Sequence, residues 1–242
     1  MIDTALLCVM AAGLVTGFSK FSVGGMGLLI LPLLMIAYPG PQALAMLLPM
    51  YLVTDLMALI SYRKSIDWVV VRRVLPLSLV GVILGGWVLS GINAEQFTTL
   101  LAVMIIAMLI LGFVLDRFDT RFMKHPIAAY VAGILGGTVS LTSNAAGPIF
   151  SLYLMEQKLS KEAYVSTRAW VFALINISKV PMLWSLGLLT MESTLISLQG
   201  IPGLVVGAMI GYYFLKRLDL NQFKWLIRGM AALAALKLLV LG

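Results

Sequence analysis

Ten strongly hydrophobic segments follow one another along the 242 residues, and they decide the solvent in which this chain can fold. Apolar residues make up 61% of the chain and charged residues only 11%, against about 25% in an ordinary soluble domain. A soluble core of this size cannot hide so much apolar surface, and a disordered chain needs low hydrophobicity. Backbone groups that face lipid must be hydrogen-bonded within their own segment. The sequence therefore predicts an all-α polytopic membrane protein, with segments at about 4–19, 24–38, 42–62, 74–91, 97–115, 126–140, 144–155, 163–184, 195–215 and 223–241.

Four of these segments are too short to cross the bilayer comfortably, since a straight span needs about 20 apolar residues. They form two adjacent pairs, 4–38 and 126–155, and each pair is interrupted by a polar, glycine-containing joint. The first joint covers residues 19–25 and the second covers residues 140–148. Glycine and proline break helices at such places. We therefore expect each pair to form a short broken or re-entrant hairpin.

The two halves of the chain repeat each other. At an offset of 120, Gly13 and Gly17 match Gly133 and Gly137. At an offset of 126, the pattern Pro-x4-Gly-x3-Gly recurs, followed by a shared Gln-Phe. These matches predict a duplication into residues 1–118 and 119–242, each with one hairpin and three spanning helices. Five segments per repeat, an odd number, imply that the two repeats have inverted topology.

The basic residues predict the orientation. Thirteen of the 17 lysines and arginines lie between segments 3 and 4, 5 and 6, 7 and 8, or 9 and 10, or close to the start of the segment that follows. The alternate connections 39–41, 92–96 and 185–194 contain no lysine or arginine. Cytoplasmic loops of membrane proteins collect lysine and arginine, so the basic set is predicted to be cytoplasmic and both termini external. The net charge of +7 is then mainly a signal of orientation.

The two joints have the chemistry of an anion site. Segments 2 and 7 begin there, so their free N–H groups and positive dipole ends would face a ligand. Ser22, and Ser143 or Asn144, suit an N-cap or a direct hydrogen bond. Glycines let a ligand approach the backbone, and Lys20 adds a full positive charge. The alternative for small residues is close helix packing, which we favour for the glycines outside the joints.

Ionisable residues within spans form a second group of candidates, because intramembrane charge is costly. Asp55 lies in the middle of segment 3 and is a candidate for binding a coupling proton or sodium ion; the alternative is a structural ion pair with Lys20 or Lys179. Lys179, beside Asn176, either holds the anion or extends to the external interface. The residues expected to contact the substrate are Ser19, Lys20, Ser22, Gly24, Gly25, Thr142, Ser143, Asn144, Gly147, Asn176 and Lys179.

Three aromatic residues deep in the segments, Tyr51, Tyr153 and Trp170, either line a cavity or pack in the core. Metal and enzyme chemistry have little support. The chain has one cysteine, Cys8, and one histidine, His125, so no metal site or cofactor is expected. It also lacks Gly-x-Ser-x-Gly and any close pair of carboxylates. The expected partners are a small anion, the lipid bilayer and a coupling ion, with no nucleic acid; an oligomer is compatible with the sequence.

In its order of motifs the chain resembles the sulfite exporter TauE/SafE family, also called the 4-toluene sulfonate uptake permease family. The resemblance covers nearly the whole chain and depends on Gly13-x3-Gly17 with the joint and Pro32, Tyr62-Arg63-Lys64-x2-Asp67-Trp68, Gly81-x3-Gly85-Gly86, Gly133-x3-Gly137, Gly147-Pro148, and the stretch from Lys161-Glu162-Ala163 through Ser166-Thr167 and Asn176 to Lys179-x-Pro181. It implies a carrier of the bacterial or archaeal inner membrane for sulfite, thiosulfate, sulfonates or other small organic anions.

The resulting hypothesis is a secondary transporter that binds its anion between the two hairpin tips and works by alternating access. An anion channel and a structural membrane subunit remain the alternatives. The joints depart from the family by having fewer glycines: Ser19, Lys20 and Met26 in the first, and Thr142, Ser143, Asn144 and Ala145 in the second. Asp55 also stands where the family tends to have a neutral residue. These differences lie at positions that would set the selectivity for the substrate. The resemblance therefore predicts the transported anion less well than it predicts the fold.

Overall fold

The computed structural model describes residues 4–21, 27–117, 121–214 and 220–241, of which most are helical and none lies in a strand. The first half contains five α-helices: α1 (Thr4–Phe21), α2 (Gly27–Leu34), α3 (Gln42–Ser61), α4 (Trp68–Ser90) and α5 (Ala94–Arg117). After a short 3-10 helix (Arg121–Lys124), the second half contains α6 (Pro126–Ser143), α7 (Gly147–Met155), α8 (Lys161–Ser185), α9 (Met191–Leu198), α10 (Ile201–Phe214) and α11 (Leu220–Leu241).

Among the described residues, four helices are long and apolar enough to cross a membrane, namely α1, α3, α4 and most of α5. The bent pair α9 and α10 adds a fifth span if both helices belong to one crossing. Large hydrophobic side chains on the outside of the molecule, such as Ile83, Trp87 and Leu233, are more than half exposed. An outer surface of this kind suits lipid. The protein is therefore an integral membrane protein.

Two of the differences between the helices and the hydropathy pattern have a clear local cause. Helix α4 begins at Trp68, before the apolar run at 74, because the Asp67 side chain accepts hydrogen bonds from the N–H groups of Val69 and Val70. The ninth hydrophobic segment is not one helix: α9 and α10 meet at an angle of 46°. The break falls at Gln199 and Gly200, next to Pro202, which cannot donate a backbone hydrogen bond.

Two pairs of helices pack with their backbones nearly touching. Helix α1 lies along α10, and a Cβ added to Gly17 or Gly207 would overlap a backbone carbonyl oxygen of the partner helix. Helix α4 lies along α6, where Gly81 and Gly137 are equally crowded. For these glycines the packing interpretation is therefore the right one.

The two hairpins, α1–α2 and α6–α7, meet near the middle of the molecule. A Cβ on Gly27, at the start of α2, would lie 3.6 Å from the carbonyl oxygen of Asn144, at the end of α6. Helices α3 and α8 pack against each other beside this meeting point. The hairpin ends, α3 and α8 together enclose the candidate site.

Candidate anion-binding site

A cavity of about 190 Å³ lies where the ends of both hairpins face α3 and α8. It has room for a small solute, since one water needs about 10–15 Å³ by the same measure. Seven residues expected from the sequence line it: Ser19, Lys20, Tyr51, Asn144, Gly147, Asn176 and Lys179. They come from positions up to 160 residues apart in the chain, and the fold brings them together.

Asp55 holds Lys20 in an ion pair at the edge of the cavity. The Lys20 ammonium donates to Oδ1 of Asp55, and the side-chain amide of Asn176 donates to Oδ2 at 2.6 Å. The Asp55 side chain is 3% exposed, whereas that of Lys20 is 21% exposed and lines the cavity. Of the two roles considered for Asp55, the ion pair with Lys20 is therefore present, and it leaves Lys20 within reach of a ligand.

Lys179 is held at the tip of the second hairpin. Its ammonium donates to the side-chain oxygen of Asn144 at 2.7 Å, and Lys179 is 2% exposed. Asn144 ends α6 in the left-handed conformation (φ 54°), which asparagine adopts more readily than most residues. Lys179 therefore faces the interior of the protein, and it does not extend to the external interface. Because the amide oxygen of Asn144 is neutral, it accepts a hydrogen bond from the Lys179 ammonium but does not neutralise the charge of that ammonium.

A third cation, Arg168, lines the same cavity, although it is one of the basic residues from which the sequence predicts a cytoplasmic connection between segments 7 and 8. Its guanidinium carbon lies 5.5 Å from the ring centre of Phe172, and the Lys20 ammonium lies at the same distance from that ring. The buried Nε of Arg168 has no hydrogen-bond partner in the described part of the chain. The signal that would have found Arg168 is helical spacing: residues 168, 172, 176 and 179 lie on one face of α8.

The electrostatics of the cavity favour an anion. All charged side chains that line it, within the described ranges, are basic: Lys20, Arg168 and Lys179. Asp55 offsets one of these charges from behind Lys20. The first residues of α2 and α7, Gly27 and Gly147, also border the cavity and bring the positive ends of two helix dipoles. A Cβ on Gly147 would meet no atom of the described residues within 4 Å, so none of them blocks the approach of a ligand to the backbone there.

The remaining sequence candidates lie elsewhere. Thr142 and Ser143 are buried, and their hydroxyls donate to the carbonyl oxygens of Thr138 and Val139 in their own helix. Ser22, Gly24 and Gly25 fall outside the described residues.

The three aromatic candidates lie in three different environments. Tyr51 lines the cavity, and its buried hydroxyl has no partner in the described part of the chain. Trp170 packs edge-to-face on Trp68, with ring centres 5.0 Å apart. Tyr153 lines a second cavity near the end of α7. Among the described residues, no group of three or more histidine, cysteine, aspartate or glutamate side chains is placed to hold a metal ion.

Comparison with known proteins gives one match. A family model described as Sulfite exporter TauE/SafE matches residues 9–238, which is nearly the whole chain. No curated protein and no solved structure shows significant similarity to the chain.

Proposed function

Because the chain belongs to the TauE/SafE sulfite exporter family, we propose that it is a secondary active transporter of a small sulfur-containing or organic anion, such as sulfite or a sulfonate. The family implies membrane transport of sulfur compounds. The narrower proposal places the anion in the cavity between the two hairpin ends. The observation that carries it is the set of three cations, Lys20, Arg168 and Lys179, around one small cavity.

The anion would complete bonds that the protein leaves open. The unpaired Nε of Arg168, the Tyr51 hydroxyl and the backbone at Gly147 offer donors to sulfite or sulfonate oxygens. Hydrogen bonds between charged groups and oxyanions are about twice as strong as neutral ones. Lys179 gains a charged partner that Asn144 does not provide. The apolar part of a short sulfonate would pack against Leu28, Ile30 and Phe172.

Asp55 would link the anion to a coupling ion. In the structure the Asp55 carboxylate accepts a hydrogen bond from the Lys20 ammonium. A proton or sodium ion on Asp55 would weaken that pair and free Lys20 for the substrate. Binding of the anion and binding of the coupling ion would then favour each other. The coupling ion neutralises the Asp55 carboxylate, and the anion neutralises the Lys20 ammonium that Asp55 releases.

The architecture behind this mechanism would be two five-segment inverted repeats, at 1–118 and 119–242. Reciprocal helix contacts support it. The first hairpin helix of one half, α1, packs on α10 of the other, and the first hairpin helix of the second half, α6, packs on α4 of the first. Equivalent helices α3 and α8 also pack together, as do α5 and α11. A pseudo-two-fold axis relates such pairs, as in many carriers that work by alternating access.

The cavity would be open to the cytoplasm in this state. It reaches Tyr62 at the end of α3 and Val165 in the second turn of α8. The basic connection after α3 lies at the same face, because the Ser166 hydroxyl donates to the carbonyl oxygen of Lys64 at 2.6 Å. If the basic loops are cytoplasmic in the inner membrane, both termini are external and the substrate enters or leaves this state from the cytoplasm.

The test is transport of sulfite and short alkyl sulfonates by the purified protein in proteoliposomes. Replacing Lys20 alone would strand the buried charge of Asp55, which is strongly destabilising. We therefore pair Lys20→Met with Asp55→Asn, which removes the ion pair without leaving a buried charge. We expect the double variant to fold and to raise KM about 10- to 100-fold, as expected for losing one charged hydrogen bond.

The matched control is Lys64→Met, which removes an exposed lysine outside the cavity and should leave KM unchanged. An unchanged KM in the double variant would show that Lys20 does not bind the substrate. Flux that fails to saturate at high substrate would identify a channel. Absence of flux for every anion, with the protein folded, would favour a structural membrane subunit.

A further inference from the structure

A second cavity lies between the beginnings of α4 and α6 and the end of α7. Its volume is about 490 Å³, and it shares no lining residue with the candidate transport site. Arg72 and Arg73 line it from α4, Lys124 and His125 from the connection before α6, and Tyr153 and Gln157 from α7. The transport mechanism proposed above uses none of these side chains.

The charge of this second cavity is positive and largely uncompensated. Lys124 lies 3.5 Å from Glu156. Neither Arg72 nor Arg73 forms a salt bridge with any residue in the described part of the chain. Nδ1 of His125 accepts from the Ile127 N–H, so Nε2 carries the proton and can donate. The cavity therefore presents two forked arginine donors and an imidazole donor, a set that suits phosphate oxygens.

The cavity continues into an apolar surface. On α4, Leu79, Val80 and Ile83 are 40–62% exposed, and they follow Pro76 and Leu77 in the cavity wall. On α6, Val131 and Leu135 are 44% and 53% exposed, and they follow Tyr130 at the cavity rim. A basic site at one end of two lipid-facing helices matches the shape of a phospholipid, with a charged head and apolar chains.

We propose that this second cavity binds the phosphate of an anionic phospholipid, whose acyl chains lie along the exposed face of α4 and α6. Basic pockets between transmembrane helices on the cytoplasmic side bind anionic head groups in this way. The lipid would hold α4 and α6 together with α7, and α7 carries Gly147 of the transport site at its other end. Anionic lipid would thereby stabilise the second hairpin.

Native mass spectrometry of the whole purified protein, with phosphatidylglycerol or phosphatidylcholine added in neutral detergent, tests this proposal. We expect retained phosphatidylglycerol and a higher Tm with that lipid, and neither with phosphatidylcholine. Arg72→Gln with Arg73→Gln should lower the apparent affinity about 25-fold, at about fivefold for each arginine. If the double variant does not fold, each single variant is measured, and the same fivefold loss is expected from each.

The control is Arg63→Gln with Lys64→Gln, which removes the same charge from exposed residues on the same basic face but outside the cavity. It should bind phosphatidylglycerol like the wild type. Equal binding by the Arg72 and Arg73 variant would overturn the proposal, as would equal retention of phosphatidylcholine. Displacement of the lipid by millimolar inorganic phosphate would identify a free-anion site instead. A dimer peak in place of lipid adducts would show that a second copy covers this face.

Discussion

At the scale of single residues, Lys20 and Lys179, the two lysines of the candidate site, differ in what pairs with their charges. Lys20 pairs with the carboxylate of Asp55, while Lys179 is bonded to the neutral amide of Asn144. A buried charge is costly unless it is paired, so the site around Lys179 is the one that gains most from an incoming anion. Lys20 gains only when Asp55 is neutralised. In the proposed mechanism, this difference would separate anion binding at Lys179 from coupling at Asp55.

Asp55→Asn tests that separation. The amide keeps the size of the side chain but removes the charge that holds Lys20. We expect anion affinity to rise about tenfold, in line with the 1.5–3 kcal/mol typical of a charged hydrogen bond, because Lys20 is released to the substrate. Exchange of anion across the membrane should continue, while accumulation driven by a proton or sodium gradient should be lost. Both are measured in proteoliposomes with and without an imposed gradient.

Asp67→Asn is the matched control, because it makes the same change at an N-cap outside the cavity, where asparagine caps equally well. It should leave affinity and coupling as in the wild type. Gradient-driven accumulation that survives Asp55→Asn would show that Asp55 is a structural partner of Lys20 only.

At the scale of helices, glycine decides which pairs pack most closely. Gly81 and Gly137 bring α4 and α6 together, and the Thr138 hydroxyl donates to the carbonyl oxygen of Gly81 at 3.0 Å. In lipid there is no hydrophobic force between helices, so close packing and interhelical hydrogen bonds stabilise the pair.

Gly137→Ala should therefore destabilise the protein. The new methyl group would overlap the carbonyl oxygen of Ser78, a backbone atom that cannot turn away. We expect a loss of about 1–3 kcal/mol in the free energy of unfolding, the usual cost of overpacking. The measurement is thermal or denaturant unfolding in detergent, followed by circular dichroism.

Gly229→Ala in α11 is the comparison, since a Cβ there meets no atom within 4 Å in the described part of the chain. Alanine is the better helix former, so this change should be neutral or slightly stabilising. Equal stability of the two variants would mean that α4 and α6 can separate without cost, contrary to the packing described.

At the scale of the whole molecule, α1 and α6 each pack on a helix from the opposite half, α10 and α4 respectively. Each hairpin is therefore held by the other half of the chain, and the two hairpin ends meet at one cavity. Inverted repeats, with the basic loops on one side of the membrane, would give this arrangement.

Single-cysteine labelling tests the topology. Cys8 is replaced by serine, and a cysteine is introduced at Lys64 or at Glu192, both of which are exposed. With inverted repeats these positions, in the connection between α3 and α4 and in the first turn of α9, lie on opposite faces of the membrane. We expect an impermeant maleimide to label Glu192→Cys in intact cells, and Lys64→Cys only after permeabilisation. Labelling of both positions from the same side would contradict the inverted arrangement.

The sequence alone determined the lipid environment, the all-α fold class, the family and several of the side chains that line the cavity. Each of these depends on properties that residues carry locally: apolar surface that favours lipid, joints that cannot continue a helix, and lysines placed within spans. Lys20 lies on the first joint, Lys179 lies within segment 8, and Asn176 lies beside Lys179 in the same segment.

Only the tertiary structure decided which side chains pair with these charged residues. Lys20 and Asp55 are 35 residues apart, Asn176 and Asp55 are 121 apart, and no local pattern states such pairings. Arg168 was missed because its charge fits a cytoplasmic loop equally well, and Trp170 and Tyr153 were separated from the cavity by packing. Burial makes an isolated charge costly, but which partner relieves that cost depends on distances that exist only once the helices have packed.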